Sequence, residues 1–511
     1  MRNFLPIAIA AATSFACQDV SVNWVWTGAI TNSSLRLRVS ASMGGEECDP
    51  NALKLFVSQE MTEIKSFNGL NVQKMSESVY LYDFHAQELA SGPVQYEIRY
   101  GPNKTLRSQT GKITIPTAPG TPMSFHVAFS SCADEDSDPK VFGTIAQHEP
   151  LFFVHMGDLH YDNLVVNDVN VFRASYERMF ASPAGQAMLG MDLPMAYMWD
   201  DHDYGPDNSD STAPGREASL QAYREYVPHY PLQDKYLLTI NSILTIGRPG
   251  ATNPEDLPIQ QAFTVGRVRF ILTDLRSQRT PNEAENIPSK TVLGPKQKAW
   301  FKNELLHASG KDSGIGLIVW VNTMPWLDDE RKWGHFKHEQ TELVEFIKEN
   351  NLNTKVPIII ASGDAHMLAA DDGTYSPGNL PIFHAAALGR PGSIKGGPYS
   401  HGAIPGSGHF GLLHFEDDGN RVCARYSGRN DNDKELIGYD ICNPQPGTTY
   451  HPPPVFVRKM TRMWRKARSR MITKWLHLTT LEIVTIGGIV IAIIALILRR
   501  FRSSKQEKKR D

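Results

Sequence analysis

The sequence predicts an α/β protein in which a layered domain, a central β-sheet with flanking helices, follows a small β-sandwich and precedes a C-terminal transmembrane helix. Three observations predict this. Short alternating stretches separated by Gly, Asn and Pro turns fill the first hundred residues. Strand-like runs then alternate with helical stretches up to about residue 443. An apolar run without a charged residue, 483–498, lies near the C-terminus.

Length and composition exclude several classes of protein. The 511 residues are enough for two or three domains, each with its own core. A content of 41% apolar and 21% charged residues argues against a disordered or fibrous protein. A formal net charge of -3 gives no indication of a nucleic-acid partner.

The N-terminus has the pattern of a secretory signal peptide. Residues 1–16 combine one basic residue, a short apolar stretch and small residues before Cys17; the alternative is an uncleaved N-terminal strand. Sequons at Asn32 and Asn103 suit a lumenal or extracellular glycoprotein.

Residues 17–119 are expected to form the β-sandwich, of the fibronectin or immunoglobulin kind, because runs such as SLRLRVSA and SVYLYDF alternate in polarity. Residues 120–445 are expected to form the layered domain. Strand-like runs such as PLFFVHMGD and VPIIIASGDAH alternate there with helical stretches such as KQKAWFKNELLHA.

The C-terminal region predicts a membrane anchor. A Pro-rich and basic stalk at 446–475 precedes the span at 476–498 and a basic tail at 499–511. With the signal peptide, this predicts a single-pass type I protein of the endoplasmic reticulum or another secretory or cell-surface membrane, its large domain lumenal or extracellular. The dilysine-like end of the tail favours the endoplasmic reticulum.

The five cysteines predict two disulfides and one free thiol. Cys423 and Cys442 lie on two strand-like runs around a turn, and Cys17 and Cys48 bracket the first strands. This pairing leaves Cys132 over, which needs an explanation in a secreted protein.

Several predicted strands end in residues that bind metals. They end in Cys132, in Asp158 with Tyr161, in the run Asp200 to Asp203, and in Asp364 with His366. Carboxyl ends of parallel strands meet at one sheet edge, where like charges repel unless cations neutralise them. The pattern favours a site for more than one metal ion over a set of unrelated turn residues.

The ligand types indicate which metals. A thiolate and a phenolate need a strongly Lewis-acidic ion, which ferric iron satisfies, and a thiolate also suits zinc. Aspartates are hard donors that fit calcium, magnesium or manganese. We therefore expect an iron-like ion on Cys132, Asp158, Tyr161 and His366. A harder ion would lie on Asp201 and Asp364, with Asp158 as a bridge.

The motifs FSSC, GDLHYD, WDDHDYGPDN, TDLRSQR, LGPKQKAWFKNEL and SGDAH, in this order, resemble the PhoD-like (alkaline phosphatase D) family of the calcineurin-like metallophosphoesterases. The resemblance covers residues 17–443. It implies a metallophosphoesterase domain that binds Fe(3+) and Ca(2+), with the ligand positions of the family falling on Cys132, Asp158, Tyr161, Asp201, Asp364 and His366.

Three further residues have open roles. His202 is expected to contact phosphate or protonate the leaving oxygen, or else only to support the ligands. Arg276 is a candidate phosphate clamp, with a structural ion pair as the alternative. Asn208 is a further ligand or a loop cap. Asn322 and Thr323 stand where many relatives place a metal-binding histidine, so no ligand is assigned there.

The leading functional hypothesis is a phosphoric-ester hydrolase in which hydroxide generated at the metal centre attacks phosphorus in line. One alternative is a non-catalytic, membrane-anchored recognition protein with the same fold. Another is a phosphodiesterase that acts on lipids or anchors at the membrane surface. The sequence predicts a phosphate-ester substrate and leaves its identity and the oligomeric state open.

Overall fold

The order of strands and helices follows the alternation seen in the sequence. The computed structural model describes residues 17, 19–44, 48–59, 64–101, 104–232, 257–327 and 332–442. The strands are β1 Asp19–Thr31, β2 Ser34–Gly44, β3 Leu53–Ser58, β4 Lys65–Asn68, β5 Asn71–Lys74, β6 Val79–Ala86, β7 Gly92–Tyr100, β8 Lys104–Ile115, β9 Phe125–Ser130, β10 Phe152–His155, β11 Met195–Tyr197, β12 Gln261–Val265, β13 Val268–Leu272, β14 Leu317–Asn322, β15 Ile358–Ser362, β16 Met367–Asp371, β17 Ile382–Ala385, β18 Ala403–Pro405, β19 His409–Asp417, β20 Val422–Asn430 and β21 Glu435–Cys442.

The α-helices are α1 Lys140–Gln147, α2 Val169–Ala181, α3 Pro183–Leu189, α4 Asp201–Tyr204, α5 Arg216–Tyr226, α6 Gly294–Ala308, α7 Lys337–Glu349 and α8 Leu352–Lys355. Short 3-10 turns lie at Pro50–Ala52, Lys332–His335 and Pro377–Asn379. The three longest helices, α2, α6 and α7, lie where the helical patterns predict them.

Two large sheets carry the strands that end in the predicted ligands. The first has the order β21-β20-β19-β9-β10-β11-β1-β2-β6-β5, and β9, β10 and β11 run parallel in it. The second has the order β12-β13-β14-β15-β17-β16-β18, with β13, β14, β15 and β17 parallel. The strands β4-β3-β7-β8 form a third, smaller sheet.

The main core lies between the two large sheets. The Phe152 ring of β10 lies 5.2 Å from the Phe270 ring of β13. Successive side chains of β14 point to opposite faces of the second sheet. Val319 belongs to the core between the sheets. Trp320 packs with Phe301 of α6 in a second core, between the sheet and its helices. The structure thus confirms the predicted α/β layers.

The N-terminal strands are joined to the first large sheet through β1. Gly28 of β1 pairs in parallel with Met195 of β11. A Cβ at position 28 would lie 2.6 Å from the Met195 carbonyl oxygen, so only glycine permits this approach. The division at residue 119 stays a prediction.

Both predicted disulfides are confirmed: Cys17 is bonded to Cys48, and Cys423 to Cys442. Cys132 is free and buried.

The structure corrects the prediction of a membrane anchor. Among the described residues, no helix has the length and apolar character needed to cross a bilayer. The predicted span at 476–498 lies outside those residues, as do the stalk, the tail and the signal peptide. The predicted transmembrane helix and single-pass type I location therefore have no support in the structure.

Candidate metal centre

The predicted ligands lie where the carboxyl ends of the two sheets meet. His155, at the end of β10, pairs with Ser130 of β9 and Tyr197 of β11, so these three strands end at one level. The chain beyond them carries Cys132, Asp158 and the Asp200 run. Strand β15 ends at Ser362 and brings Asp364 to the same place, since the Asp364 amide donates to the Ser131 hydroxyl at 3.1 Å.

The first group of ligands surrounds one oxygen of Asp158. Its Oδ2 lies 3.3 Å from the Cys132 Sγ and 3.1 Å from the Tyr161 hydroxyl. The Tyr161 hydroxyl lies 3.4 Å from the His366 Nε2. The Nδ1 of His366 lies 2.8 Å from the Pro391 carbonyl, which fixes the ring with Nε2 toward the group. These are the four residues predicted to hold the iron-like ion.

The second group consists of four carboxylates. Asp158, Asp200, Asp201 and Asp364 each offer an oxygen, and these oxygens lie within 4.8 Å of one another. Asp158 belongs to both groups, as expected of a bridge. Asp200 was not among the predicted ligands.

Four of the six residues carried over from the family have a left-handed backbone. The φ angles are 64° at Cys132, 54° at Asp158, 59° at Asp364 and 48° at His366. Each such non-glycine residue costs roughly 1–2 kcal/mol, and strained residues of this kind cluster at functional sites. All four side chains belong to the groups at the meeting point of the two sheets.

Three cations contact the carboxylates in the described part of the chain. Arg276 is fully buried, with Nε 2.6 Å from Asp200 Oδ1 and Nη2 3.5 Å from Asp201 Oδ1. Lys332 Nζ lies 3.0 Å and Lys395 Nζ 3.1 Å from Asp364 Oδ1. The burial of Arg276 favours the ion-pair alternative over the phosphate clamp.

His202 and Asn208 both lie beside the carboxylates. The His202 ring packs on Tyr161 with centroids 4.2 Å apart, and its Nδ1 lies 2.7 Å from Asn163 Oδ1. The backbone N–H of Asn208 donates to Asp201 Oδ2 at 2.8 Å, and the Asn208 side-chain oxygen accepts from Lys332 at 3.4 Å. Asn208 thus holds Asp201 in place.

Asp203 and Thr323 are positioning residues. Asp203 accepts from the amides of Leu159 at 3.1 Å and Asp200 at 2.8 Å, which ties the β10 and β11 ends together. Thr323 donates to Asp200 Oδ1 at 3.1 Å. Asn322 Oδ1 accepts from Trp333 at 3.0 Å and takes no part in either group.

The electrostatics of the groups call for a cation. Burial and the nearby Asp158 and Asp364 charges raise the pKa of the Cys132 thiol well above its usual range. Burial and the Asp201 and Asp200 charges do the same to the pKa of Asp158. Burial also opposes ionisation of Asp201, but Arg276 and Lys332 hold the pKa of that carboxyl well below its usual range. A metal ion on Cys132 and Asp158 would displace their protons.

The residues fit a metal ion. Asp200 Oδ2, Asp201 Oδ1 and Asp364 Oδ2 are buried without a hydrogen-bond partner in the described structure. Unpaired buried carboxylate oxygens are costly unless a cation meets them. The donor set of thiol, phenol, imidazole and carboxylate is one that iron or zinc accepts.

Asp200, Lys332 and Lys395 were not assigned a role from the sequence. Asp200 was one of the candidates in the run Asp200 to Asp203, but the family resemblance placed the ligand of this run on Asp201. The two lysines lie on loops between strands, and only the fold brings them to Asp364. Local sequence patterns carry no signal for such contacts.

Comparisons with known proteins agree with this geometry. Residues 127–385, which include both groups, match the sequence profile described as PhoD-like phosphatase. Alkaline phosphatase D of Bacillus subtilis (strain 168) is 23% identical in an alignment of 305 positions that covers 51% of this chain and 49% of that protein. The match thus spans about half the length of this curated relative.

A solved structure shows the same fold. A purple acid phosphatase isolated from yellow lupin (Lupinus luteus) seeds superimposes with a TM-score of 0.52 at 12% identity, over 82% of this chain and 73% of the lupin chain. The profile match covers half of the sequence and contains the strand ends that form the two groups. On these findings, the chain belongs to the PhoD-like phosphatase family.

Proposed function

We propose that the protein is a metal-dependent phosphoric-ester hydrolase. The observation that carries the proposal is the meeting of Cys132, Asp158, Tyr161 and His366 beside three further buried carboxylates. Family membership and the name of the curated relative support the same reaction class. Phosphate esters are then the substrate class.

Cys132, Asp158, Tyr161 and His366 would hold an iron ion, since thiolate and phenolate favour a strongly Lewis-acidic metal. Zinc is the alternative. Calcium, which the family resemblance implies, magnesium and manganese are the ions whose preference for oxygen ligands matches Asp201 and Asp364, but Arg276 and Lys332 compete for the same carboxylates. Cations bound here supply an activated water and neutralise the charge that develops on the phosphoryl oxygens.

His202 is the proposed proton donor to the leaving oxygen. Its Nδ1 faces the amide oxygen of Asn163 at 2.7 Å, and an amide oxygen only accepts, so Nδ1 carries a proton. In the imidazolium form the ring carries a second proton on Nε2, and this is the proton that His202 would give to the leaving oxygen, which returns the ring to its neutral form. The Tyr161 ring beneath the imidazole fixes its plane.

Arg276 is proposed to position Asp200 and Asp201 instead of clamping phosphate. Its guanidinium has no exposed surface, and Nη1 contacts the Ser209 carbonyl at 3.4 Å while Nε holds Asp200. Because this side chain has no exposed surface and pairs with Asp200 and Asp201, a substrate phosphate is not expected to contact it.

The test is hydrolysis of p-nitrophenyl phosphate and its bis ester by wild type and Asp158→Asn, with and without added iron and calcium. We expect metal-dependent turnover that falls on the order of a thousandfold or more in the variant, because several kcal/mol of charge stabilisation is lost. Asp168→Asn is the control, since Asp168 is an exposed helix cap that asparagine can replace.

Absence of metal-dependent turnover in a folded protein would favour the alternative of a non-catalytic recognition protein. Equal turnover in Asp158→Asn and wild type would remove Asp158 from the mechanism.

A further inference from the structure

Lys332 lies at the place expected for the second metal ion. Its ammonium nitrogen is 3.0 Å from Asp364 Oδ1, 3.4 Å from Asn208 Oδ1 and 3.8 Å from Asp201 Oδ2. Asp201 and Asp364 are the residues predicted to hold the harder ion, and Asn208 is its candidate further ligand. One lysine therefore contacts oxygens from all three.

The position of Lys332 is built into the fold. The side chain is only 5% exposed, and the residue has a φ of 50°, in the left-handed region that non-glycine residues seldom adopt. A surface lysine that reaches an acid by chance needs no such backbone. The arrangement commits this ammonium to the carboxylates.

An ammonium and a metal ion cannot share this place. Calcium binds oxygen at about 2.3–2.6 Å, so an ion on the Asp201 Oδ2, Asp364 Oδ1 and Asn208 Oδ1 atoms would overlap Nζ. Three oxygens without a hydrogen-bond partner remain in the described structure: Asp200 Oδ2, Asp201 Oδ1 and Asp364 Oδ2. Arg276 already neutralises the first two acids, since its Nε lies 2.6 Å from Asp200 Oδ1 and its Nη2 lies 3.5 Å from Asp201 Oδ1.

The charges of the site balance with a single trivalent ion. The Cys132 thiolate, the Asp158 carboxylate and the Tyr161 phenolate carry three negative charges, which balance the charge of a trivalent ion. His366 adds no charge as a neutral ligand.

The other carboxylates already have partners of opposite charge. In the described structure, the three acids of the second group other than Asp158 face three bases. Arg276 serves Asp200 and Asp201, while Lys332 and Lys395 serve Asp364. Without a bound phosphate ester, a further divalent ion would leave the buried site with an excess of positive charge, which is unfavourable.

We propose that Lys332 replaces the second metal ion, so that this chain holds one metal ion and uses a permanent ammonium as its other cation. The inference rests on the proposed function for the reaction that the site performs. It changes the expected metal content from two ions to one, because a covalently attached cation does not dissociate.

The test is a count of metal ions per chain by elemental analysis, after the purified full chain is equilibrated with excess iron and calcium and then dialysed. We expect about one ion in wild type and about two in Lys332→Met, the second being calcium. A calcium titration by calorimetry should show heat of binding in the variant and none in wild type.

Lys395→Met is the matched control. Lys395 also contacts Asp364 Oδ1, at 3.1 Å, but reaches it from a side chain that is 21% exposed, and no contact joins its nitrogen to Asn208. We expect this variant to keep one ion. A gain of calcium in both variants would mean that any loss of positive charge creates the site, and it would overturn the specific role of Lys332.

Two ions in wild type, or one ion in a folded Lys332→Met variant, would overturn the proposal. If Lys332→Met does not fold, Lys332→Gln replaces it, and the wild-type count decides by itself. A wild-type count of zero would overturn the metal centre and hence the proposed function as well, whereas a count of two would leave that function intact.

Discussion

Gly157 shows how single residues set the geometry of the centre. It precedes Asp158, has a φ of 87°, and its Cα faces the backbone of Trp199 and Asp200 so closely that a Cβ would clash there. Only glycine meets both demands. The close approach lets Asp158 and Asp200 converge from neighbouring strands.

Gly157→Ala should therefore lower the free energy of unfolding by about 3 kcal/mol or more, because both the backbone angle and the space are unsuitable. Urea unfolding followed by circular dichroism measures this. Gly143→Ala is the control: Gly143 lies inside α1 with open space around it. Gly143→Ala should raise the free energy of unfolding by up to about 1 kcal/mol. Equal effects at the two positions would show that the close approach of Gly157 to Trp199 and Asp200 does not require glycine.

The sequence predicted the ligand types at this scale but not their conformation. Cys132, Asp158 and Asp364 were found because each follows an apolar run. Their left-handed backbones were not predicted, since non-glycine residues carry no local mark of positive φ. Lys332 was missed for a different reason: its contact with Asp364 depends on a loop placed by the whole fold.

At the scale of elements, an internal ion pair joins neighbouring strands of the first sheet. Asp83 of β6 lies 2.5 Å from Arg36 and 2.6 Å from Arg38, both on β2, and its side chain is 9% exposed. Burial opposes ionisation of Asp83, but hydrogen bonding to Arg36 and the charge of Arg38 lower its pKa below 3.8. The pair stabilises the fold only while Asp83 is ionised.

Asp83→Asn should destabilise the protein by about 3 kcal/mol at pH 7, because it leaves buried guanidinium charge without its partner. Because the pKa of Asp83 is lower in the folded than in the unfolded chain, its ionisation stabilises the fold at pH values above the unfolded pKa. This stabilisation is lost as the pH falls through the folded pKa. The difference between wild type and variant, measured by urea unfolding, should thus narrow as the pH falls below 3.8.

Asp440→Asn is the control for this pair, since Asp440 is 64% exposed beside Arg425. Exposed pairs contribute at most about 1 kcal/mol. If the free energies of unfolding of wild type and Asp83→Asn differ as much in acid as at pH 7, Asp83 acts through packing and not through charge.

The disulfide Cys423–Cys442 fastens the β20–β21 hairpin at the edge of the first sheet. Closing a loop of this length stabilises by about 3 kcal/mol through the unfolded chain. The double variant Cys423→Ser, Cys442→Ser should lose about that much in denaturant unfolding. A loss below about 1 kcal/mol would show that the strand pairing alone holds the hairpin.

The disulfide between Cys423 and Cys442 was predictable because the two cysteines flank one turn. The parallel contact of β1 with β11 was not, since it joins Gly28 to Met195 across most of the N-terminal half. Pairings at such distance in the sequence leave no periodic signal. This contact connects the predicted sandwich to the sheet that carries the metal centre.

At the scale of the whole molecule, buried histidines limit stability in acid. Burial lowers the pKa of His155, His229 and His384 to about 3. The unfolded chain binds protons at these residues below about pH 6.5, whereas the folded chain does not. Stability should therefore fall as the pH drops from 6.5 toward 3.

His155 offers the cleanest test, because both of its ring nitrogens are buried without a partner in the described structure. Between pH 7 and pH 5, the free energy of unfolding of His155→Phe should fall by about 2 kcal/mol less than that of wild type. Chemical unfolding at each pH measures this difference. His338→Gln, at an exposed position of α7, is the control. An unchanged slope in His155→Phe would mean that His155 is protonated in the folded protein.

The central claim is that a metal ion on Cys132, Asp158, Tyr161 and His366 makes the protein hydrolyse phosphate esters. The most direct measurement is p-nitrophenyl phosphate turnover by the wild-type chain, before and after chelation and after iron is restored. We expect turnover to disappear when the metal is removed and to return in proportion to the iron bound. Full turnover by protein stripped of metal would contradict the claim.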